Sequence, residues 1–284
     1  MTIILATSNI RIEEKLILAS LDAAGCRYET VDVRQKVFGT VPDAAQSPSI
    51  LLNRCISQIQ SISTVRYYES LGVPCINSAD TIAICGDKLA TSLKLQAAGV
   101  PAPRFAFALG RQSALMAIEH LGPPVVVKPA IGSWGRMVVR INDRDAAEAV
   151  IELRENMPGP QHRLHYIQAF IETGNRDIRV IALDGDIVAA YARRSGHWIT
   201  NAARGASGER CAVTPELERI CRNASGAVGG GILSFDLFEV EHEGYLLNEI
   251  NHTTEFALAT HITGVNIAAE LVSFAQRRLA IWSR

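Results

Sequence analysis

The first 86 residues alternate short apolar runs with amphipathic stretches, and this alternation limits the possible folds more than any other feature. Ile3 to Ala6 is an apolar run of strand length. Ile12, Leu16 and Ala19 then recur at helical spacing up to Gly25, a residue suited to a helix C-terminus, and Tyr28 to Val33 reads as the next strand. The order returns with Ile50 to Asn53, a helix through Ile59 and Ile62, and Val73 to Ile76. Such repeated strand-helix-strand units predict a small open α/β domain over residues 1–86. No G-x-G-x-x-G follows the first strand, so a dinucleotide site gains no support there.

The chain has 284 residues, more than one core usually organises, and two or three units are expected. Gly86-Asp87-Lys88 opens a new helix that runs through Leu93 and Leu95 to Gly99, with Pro101 and Pro103 marking a boundary. A strand at Phe105 to Ala108, a helix through Leu115 and Ile118 and a strand ending at Lys128 follow, so a second unit is placed at 87–165. A third, 166–284, starts with the strand Tyr166 to Ile171. It also holds a patterned helix capped by Thr214-Pro215 and ended by Gly229, and a last helix from Ile267 to about Leu279.

Charge and cysteine usage narrow the function classes. A net charge of -1 gives no global field toward nucleic acid or an anionic membrane. The N-terminus lacks the positive region of a signal peptide, and no apolar run reaches the roughly 18 residues of a membrane span. Six cysteines form no C-x-x-C pair and sit mostly within apolar stretches, as expected for reduced core residues of a cytoplasmic protein.

Four clusters carry chemistry. Val125-Val126-Val127-Lys128 ends a strand on a lysine, whose ammonium requires an anionic partner unless it snorkels from the strand end. The segment Gly132-Ser133-Trp134-Gly135-Arg136 lies between two strands. Its backbone N–H groups can wrap a phosphate, although a structural turn has the same composition. Arg179, Arg193, Arg194 and Arg204 gather near strand ends, with Asp177 on the face of Arg179, which suggests an oriented guanidinium. Finally, Ser234 to Asn251 reads as two strands joined by a polar turn at 241–244. Glu249 and Asn251 share a face, and the return strand can bring Asp236 beside them. Three oxygen-bearing side chains suit a hard divalent cation, while a half-solvated acidic hairpin fits the same pattern.

In this order the clusters suit polyphosphate with Mg2+ bridging its oxygens. They also carry a resemblance. Cys85-Gly86-Asp87-Lys88, Val127-Lys128-Pro129 with the loop to Arg136, Arg176-Asp177-Ile178-Arg179, Arg193 to Asn201 and Asn248 to Phe256 resemble the ATP-grasp amino-group carrier protein ligases of lysine and arginine biosynthesis. The nearest likeness is to the 2-aminoadipate type, and these enzymes are related to the ribosomal-protein glutamate ligases. The similarity covers essentially the whole chain.

The resemblance implies an ATP-grasp fold, an α/β architecture in which a small N-terminal domain precedes two α+β subdomains enclosing ATP. It implies an ATP-dependent ligase in lysine biosynthesis. The side-chain carboxylate of a carrier protein's C-terminal glutamate is phosphorylated, and the α-amine of a free amino acid, 2-aminoadipate first, displaces phosphate. Lys88, Lys128, the Gly132, Ser133, Trp134, Gly135 and Arg136 loop, and Asn201 would hold ATP, with Gln168, Ala169, Phe170 and Ile171 as the adenine hinge. Asp236, Glu249 and Asn251 would hold Mg2+. Arg179 and Arg193 would stabilise the acyl phosphate, and Arg193, His252, Thr253, Thr254 and Glu255 would face substrate. Relatives usually place a carboxylate where this chain has Ala169, and Glu172 is a candidate substitute. Expected partners are a small acidic carrier protein ending in glutamate, a free amino acid and further copies of the chain, with neither nucleic acid nor membrane. A peptide-tail glutamate ligase, a glutamate-specific carrier ligase and a non-catalytic ATP-binding module are the alternatives.

Overall fold

The computed structural model describes residues 1–39, 49–132, 135–200, 207–241 and 244–282. In the N-terminal section the chain runs β1 (Thr2–Thr7), α1 (Ile12–Ala23), β2 (Tyr28–Asp32), β3 (Ser49–Asn53), α2 (Gln58–Ser70), β4 (Cys75–Ile76) and α3 (Ala79–Cys85). Its sheet has the order β2-β1-β3-β4 and every pairing is parallel. Each of the six β1 residues is buried, as a central parallel strand covered on both faces requires, which explains why its sequence is a continuous apolar run.

The central section holds α4 (Lys88–Ala97), β5 (Phe105–Ala108), α5 (Arg111–Leu121), β6 (Val125–Lys128), β7 (Val139–Ile141), α6 (Arg144–Glu155) and β8 (His165–Ala169). Its antiparallel sheet is ordered β5-β8-β6-β7. The expected break at 165/166 therefore falls inside β8, a strand of this sheet. α5 and α6 cover one face through Ala114, Ile118, Ala147 and Ile151, and this core is separate from the others.

The C-terminal section holds β9 (Arg176–Leu183), β10 (Asp186–Arg194), β11 (Ser207–Arg210), α7 (Pro215–Val228), β12 (Ile232–Val240), β13 (Gly244–Asn251), α8 (Ala257–Thr263) and α9 (Ile267–Trp282). The sheet order is β11-β10-β9-β12-β13. α7 starts where the Thr214 hydroxyl accepts from Leu217 N at 3.2 Å and ends at Gly229, whose φ of 100° admits the left-handed stop. Its stripe Leu217, Ile220, Cys221, Ala224 and Val228 is buried against the sheet.

α9 joins the N-terminal and C-terminal sections. Leu271, Val272 and Ala275 pack into one core with Leu5 and Ile50 from the first sheet, Ile17 from α1, and Ile181 and Tyr191 from the last sheet. The central sheet, with its own core, stands against this two-section body; the first cleft described below lies between them, and the second between the N-terminal and C-terminal sections. Among the described residues no single helix is long and apolar enough to cross a membrane.

Candidate active site

β12 and β13 pair with Asp236 opposite Glu249 and Ser234 opposite Asn251, so the hairpin brings the three expected oxygen donors to one end of the sheet. The register slips between Asp236 and Leu237, because Leu237 faces Leu247 and leaves Asn248 as an extra residue. This bulge interrupts the two-residue alternation. Leu247 and Ile250, three apart, are both buried, while Asn248 and Glu249 both reach the cleft.

Two lysines meet these side chains. Lys128 is 8% exposed, and its Nζ donates to Gln168 Oε1 at 2.6 Å and Asn248 Oδ1 at 2.9 Å. Burial depresses its pKa to about 8, an effect that attraction to Glu249 and Asp236 offsets only in part. Lys88 Nζ donates to the Gly132 carbonyl at 2.7 Å and lies 3.3 Å from Glu249 Oε1. It thus ties the start of the glycine loop to the acidic hairpin. Gly132 and Gly135 have φ of 149° and 63°, values that L side chains rarely adopt, so the loop's path requires glycine at both positions.

The arginines form a buried network across β9, β10 and β12. Arg179 Nε and Nη2 donate to the two oxygens of Asp236, each at 2.7 Å, and Arg193 Nη2 stands 3.1 Å from the same carboxylate. Arg193, itself 2% exposed, is forked onto Asp177 through Nε and the same Nη2, so this nitrogen is shared by the two carboxylates. Burial alone would raise the Asp236 pKa. The two guanidiniums outweigh it and hold the carboxyl well below the usual range, so it stays ionised. Arg194 turns outward instead, 55% exposed and 4.0 Å from Glu209.

A cleft is lined by Lys88, Lys128, Gln168 to Thr173, Asp236 and Asn248-Glu249, with Gly132, Gly135 and Arg136 along one edge. Arg140 stacks 3.8 Å from the Phe170 ring centroid, and Phe170 meets Trp198 edge-on at 5.9 Å, which walls the hinge side. Glu172 lines the same cleft beyond Ala169. A second cleft is bordered by Ser8, Asn9, Arg11 and Arg34 on one side and by Arg179, Asn251, His252, Thr253 and Glu255 on the other. Gly132, Arg193 and Glu249 line both clefts.

Of the expected site residues, Ser133, Trp134, Asn201 and Arg204 lie outside the described residues. Thr254 does not line the second cleft; it is 1% exposed, and its carbonyl accepts from Arg54 Nη2 at 2.9 Å. Asn248, Trp198 and the N-terminal arginines 11, 34 and 54 were not singled out from sequence. The donor set at Asp236, Glu249 and Asn251 fits a hard cation. Two carboxylates sit at facing register positions, and Asn251, two residues on, adds an amide oxygen for which no hydrogen bond is formed among the described residues.

A cleft between two sheets, with two lysines, a glycine loop and an acidic hairpin, defines the ATP-grasp class. The comparisons agree and go further. Residues 85–275 match the RimK-like ATP-grasp domain and residues 3–84 the LysX preATP-grasp domain. The chain belongs to the RimK-like ATP-grasp family and is an ATP-dependent carboxylate-amine ligase. It is 34% identical over 278 residues to the glutamate–LysW ligase ArgX of Sulfolobus acidocaldarius, spanning 97% of this chain and 98% of that protein. With the alpha-aminoadipate–LysW ligase LysX of Saccharolobus solfataricus it shares 29% identity over 267 residues, 93% of this chain and 97% of the relative. Among solved structures, a RimK domain ATP-grasp protein of Sphaerobacter thermophilus superposes with a TM-score of 0.80 at 22% identity, covering 96% of this chain and 99% of that one.

Proposed function

We propose that the protein joins the α-amine of a dicarboxylic amino acid to the side-chain carboxylate of the C-terminal glutamate of a small acidic carrier protein, with ATP as the phosphoryl donor. The observation that carries this reading is the junction of the two clefts at Gly132, Arg193 and Glu249. A γ-phosphoryl group held over the first cleft faces a carboxylate presented from the second, in a setting of buried guanidinium groups. Lys88 and Lys128 are placed to neutralise the polyphosphate, and Gln168 to Ile171 to receive the adenine. Asp236, Glu249 and Asn251 would hold Mg2+, which when bound supplies charge neutralisation for the phosphate oxygens. Arg179 and Arg193, fixed by Asp236 and Asp177, stabilise the charge that develops as the acyl phosphate forms and as the amine displaces phosphate. No protein nucleophile is needed, because orientation and electrostatics carry the reaction.

The amino acid is glutamate or 2-aminoadipate. Sequence phrases favour 2-aminoadipate, whereas the relatives named for glutamate are 34% identical and those named for alpha-aminoadipate 27% to 30%. The test is ADP and phosphate release with a carrier ending in glutamate and a panel of amino acids. Asp236→Ala and Glu249→Ala are expected to abolish release while melting cooperatively. Undiminished turnover in either would remove the metal assignment, and turnover confined to free peptides would favour a tail ligase.

A further inference from the structure

The second cleft has a side that the ligase reading leaves unused. In the N-terminal sheet all strands run parallel, so their carboxyl ends emerge together. Asn9 and Arg11 follow β1, Arg34 follows β2 and Arg54 follows β3. In open α/β sheets the crevice beyond those ends is where ligands bind, at the point where successive connections leave in opposite directions. Here that point lies between β1 and β3, and Asn9 stands beside it.

At this edge, hydrogen bonding within the protein consumes the acceptors and spares the donors. Arg34 docks one edge on Asp32, with Nε to Oδ1 at 3.1 Å and Nη2 to Oδ2 at 2.9 Å, and its Nη1 donates to Asn9 Oδ1 at 3.2 Å. A guanidinium has five N–H groups, so two remain on the edge turned away from Asp32. The Asn9 amide, oriented by that bond, presents its Nδ2 with no acceptor among the described residues. Arg34 and Asn9 both line the cleft, and the arginine side chain is 52% exposed. Arg11 is bracketed by Glu14 and Glu255, which leaves Arg34 the less neutralised cation on this side. A planar cationic fork beside an amide N–H matches a carboxylate.

We propose that Arg34 and Asn9 form a carboxylate subsite that takes the side-chain carboxylate of the amino-acid substrate, selecting dicarboxylic over neutral amino acids. The choice of ligand rests on the ligase reading; the donor geometry does not. Arg179 and Arg193 border the opposite side of the same cleft, so an amino acid held at Arg34 by its far end can turn its amine toward the reacting carboxylate.

The test is equilibrium binding by calorimetry of glutamate, 2-aminoadipate and glutamine to the full protein saturated with a non-hydrolysable ATP analogue, so that turnover is not required. Wild type is expected to bind the two dicarboxylates more tightly than glutamine. Arg34→Leu should weaken the dicarboxylates roughly 10- to 100-fold, the size of a lost charge-assisted pair, and leave glutamine within about twofold. Arg34→Lys, which keeps charge but not the fork, should fall between; Arg34→Gln repeats the test should the leucine variant melt early. Unchanged dicarboxylate binding in these variants would overturn the proposal, and so would equal loss of glutamate and glutamine. Wild type that binds no dicarboxylate overturns it as well. Dicarboxylate binding without ligation would leave the subsite standing and remove the ligase reading instead.

Discussion

Lys128 offers the sharpest quantitative test of the site. Its ammonium is buried between Gln168 and Asn248, two neutral acceptors, and burial lowers its pKa from the ordinary 10.5 to about 8. The sign follows from proton counting. Below pH 8 the lysine is charged in folded and unfolded chains alike, and the fold bears the whole burial penalty. Between 8 and 10.5 the unfolded chain holds more protons, so stability rises with pH. At about 1.4 kcal/mol per pH unit this gap corresponds to roughly 3 kcal/mol. Lys128→Met removes the titration. It also strands the Gln168 and Asn248 oxygens, but that loss does not change with pH. The stability of wild type minus that of the variant, from urea unfolding at several pH values, is therefore expected to increase by about 3 kcal/mol between pH 7 and 10.5. Buried cysteines such as Cys75 and Cys85, pushed up to about 12, titrate in both proteins and cancel.

The same group links to nucleotide. A triphosphate beside Lys128 favours the ammonium, so binding an ATP analogue near pH 9 should take up close to one proton, and near pH 7 none. Calorimetry in two buffers of different ionisation enthalpy reads this directly. A stability difference flat to within about 1 kcal/mol, or nucleotide binding without proton uptake near pH 9, would refute the reasoning.

Two further predictions concern the segment that follows Asn251. Arg54 is 2% exposed, pairs with Glu14 at 3.0 Å and donates to the Thr254 carbonyl, while Glu14 keeps a second partner in Arg11. Arg54→Ala should therefore lose about 2–4 kcal/mol in urea unfolding, at or below the cost of fully orphaning a buried carboxylate; a loss under about 1 kcal/mol would count against the pairing. Asn77 Oδ1 accepts from the Ile232 N–H at 2.6 Å, and its Nδ2 donates to the Ile232 and His252 carbonyls at 2.8 and 2.9 Å. Asn77→Ala should lose about 2–4 kcal/mol, since buried backbone groups are left unpaired, and a neutral result would mean that water replaces the amide.

What the sequence made legible follows from which signals are local. Apolar runs and helical spacing name their own element, so the strand-helix alternation of residues 1–86 and the capped α7 could be read directly. Alternation also put Glu249 and Asn251 together, and the return strand supplied Asp236. It missed Asn248, because strict alternation turns that residue away from Glu249; the only trace is that apolar Leu247 and Ile250 stand three apart rather than two. Resemblance named Thr254 along with its neighbours, but a motif does not say which side chain of a kinked segment points inward. The N-terminal arginines show the deeper limit. Arg11, Arg34 and Arg54 are each a lone charge just past an apolar run, the commonest setting for a solvated side chain. Parallel pairing of strands distant in sequence makes their positions one edge, and α9 turns that edge toward the acidic hairpin. Two consequences then separate. Arg54 is withdrawn into the join between sections, where it has two buried partners, and Arg34 is left with donors facing the cleft. Residues of one type at equivalent strand ends thus acquire a structural role in one case and a binding surface in the other, and burial decides which: Arg54 is 2% exposed, whereas the Arg34 side chain is 52% exposed.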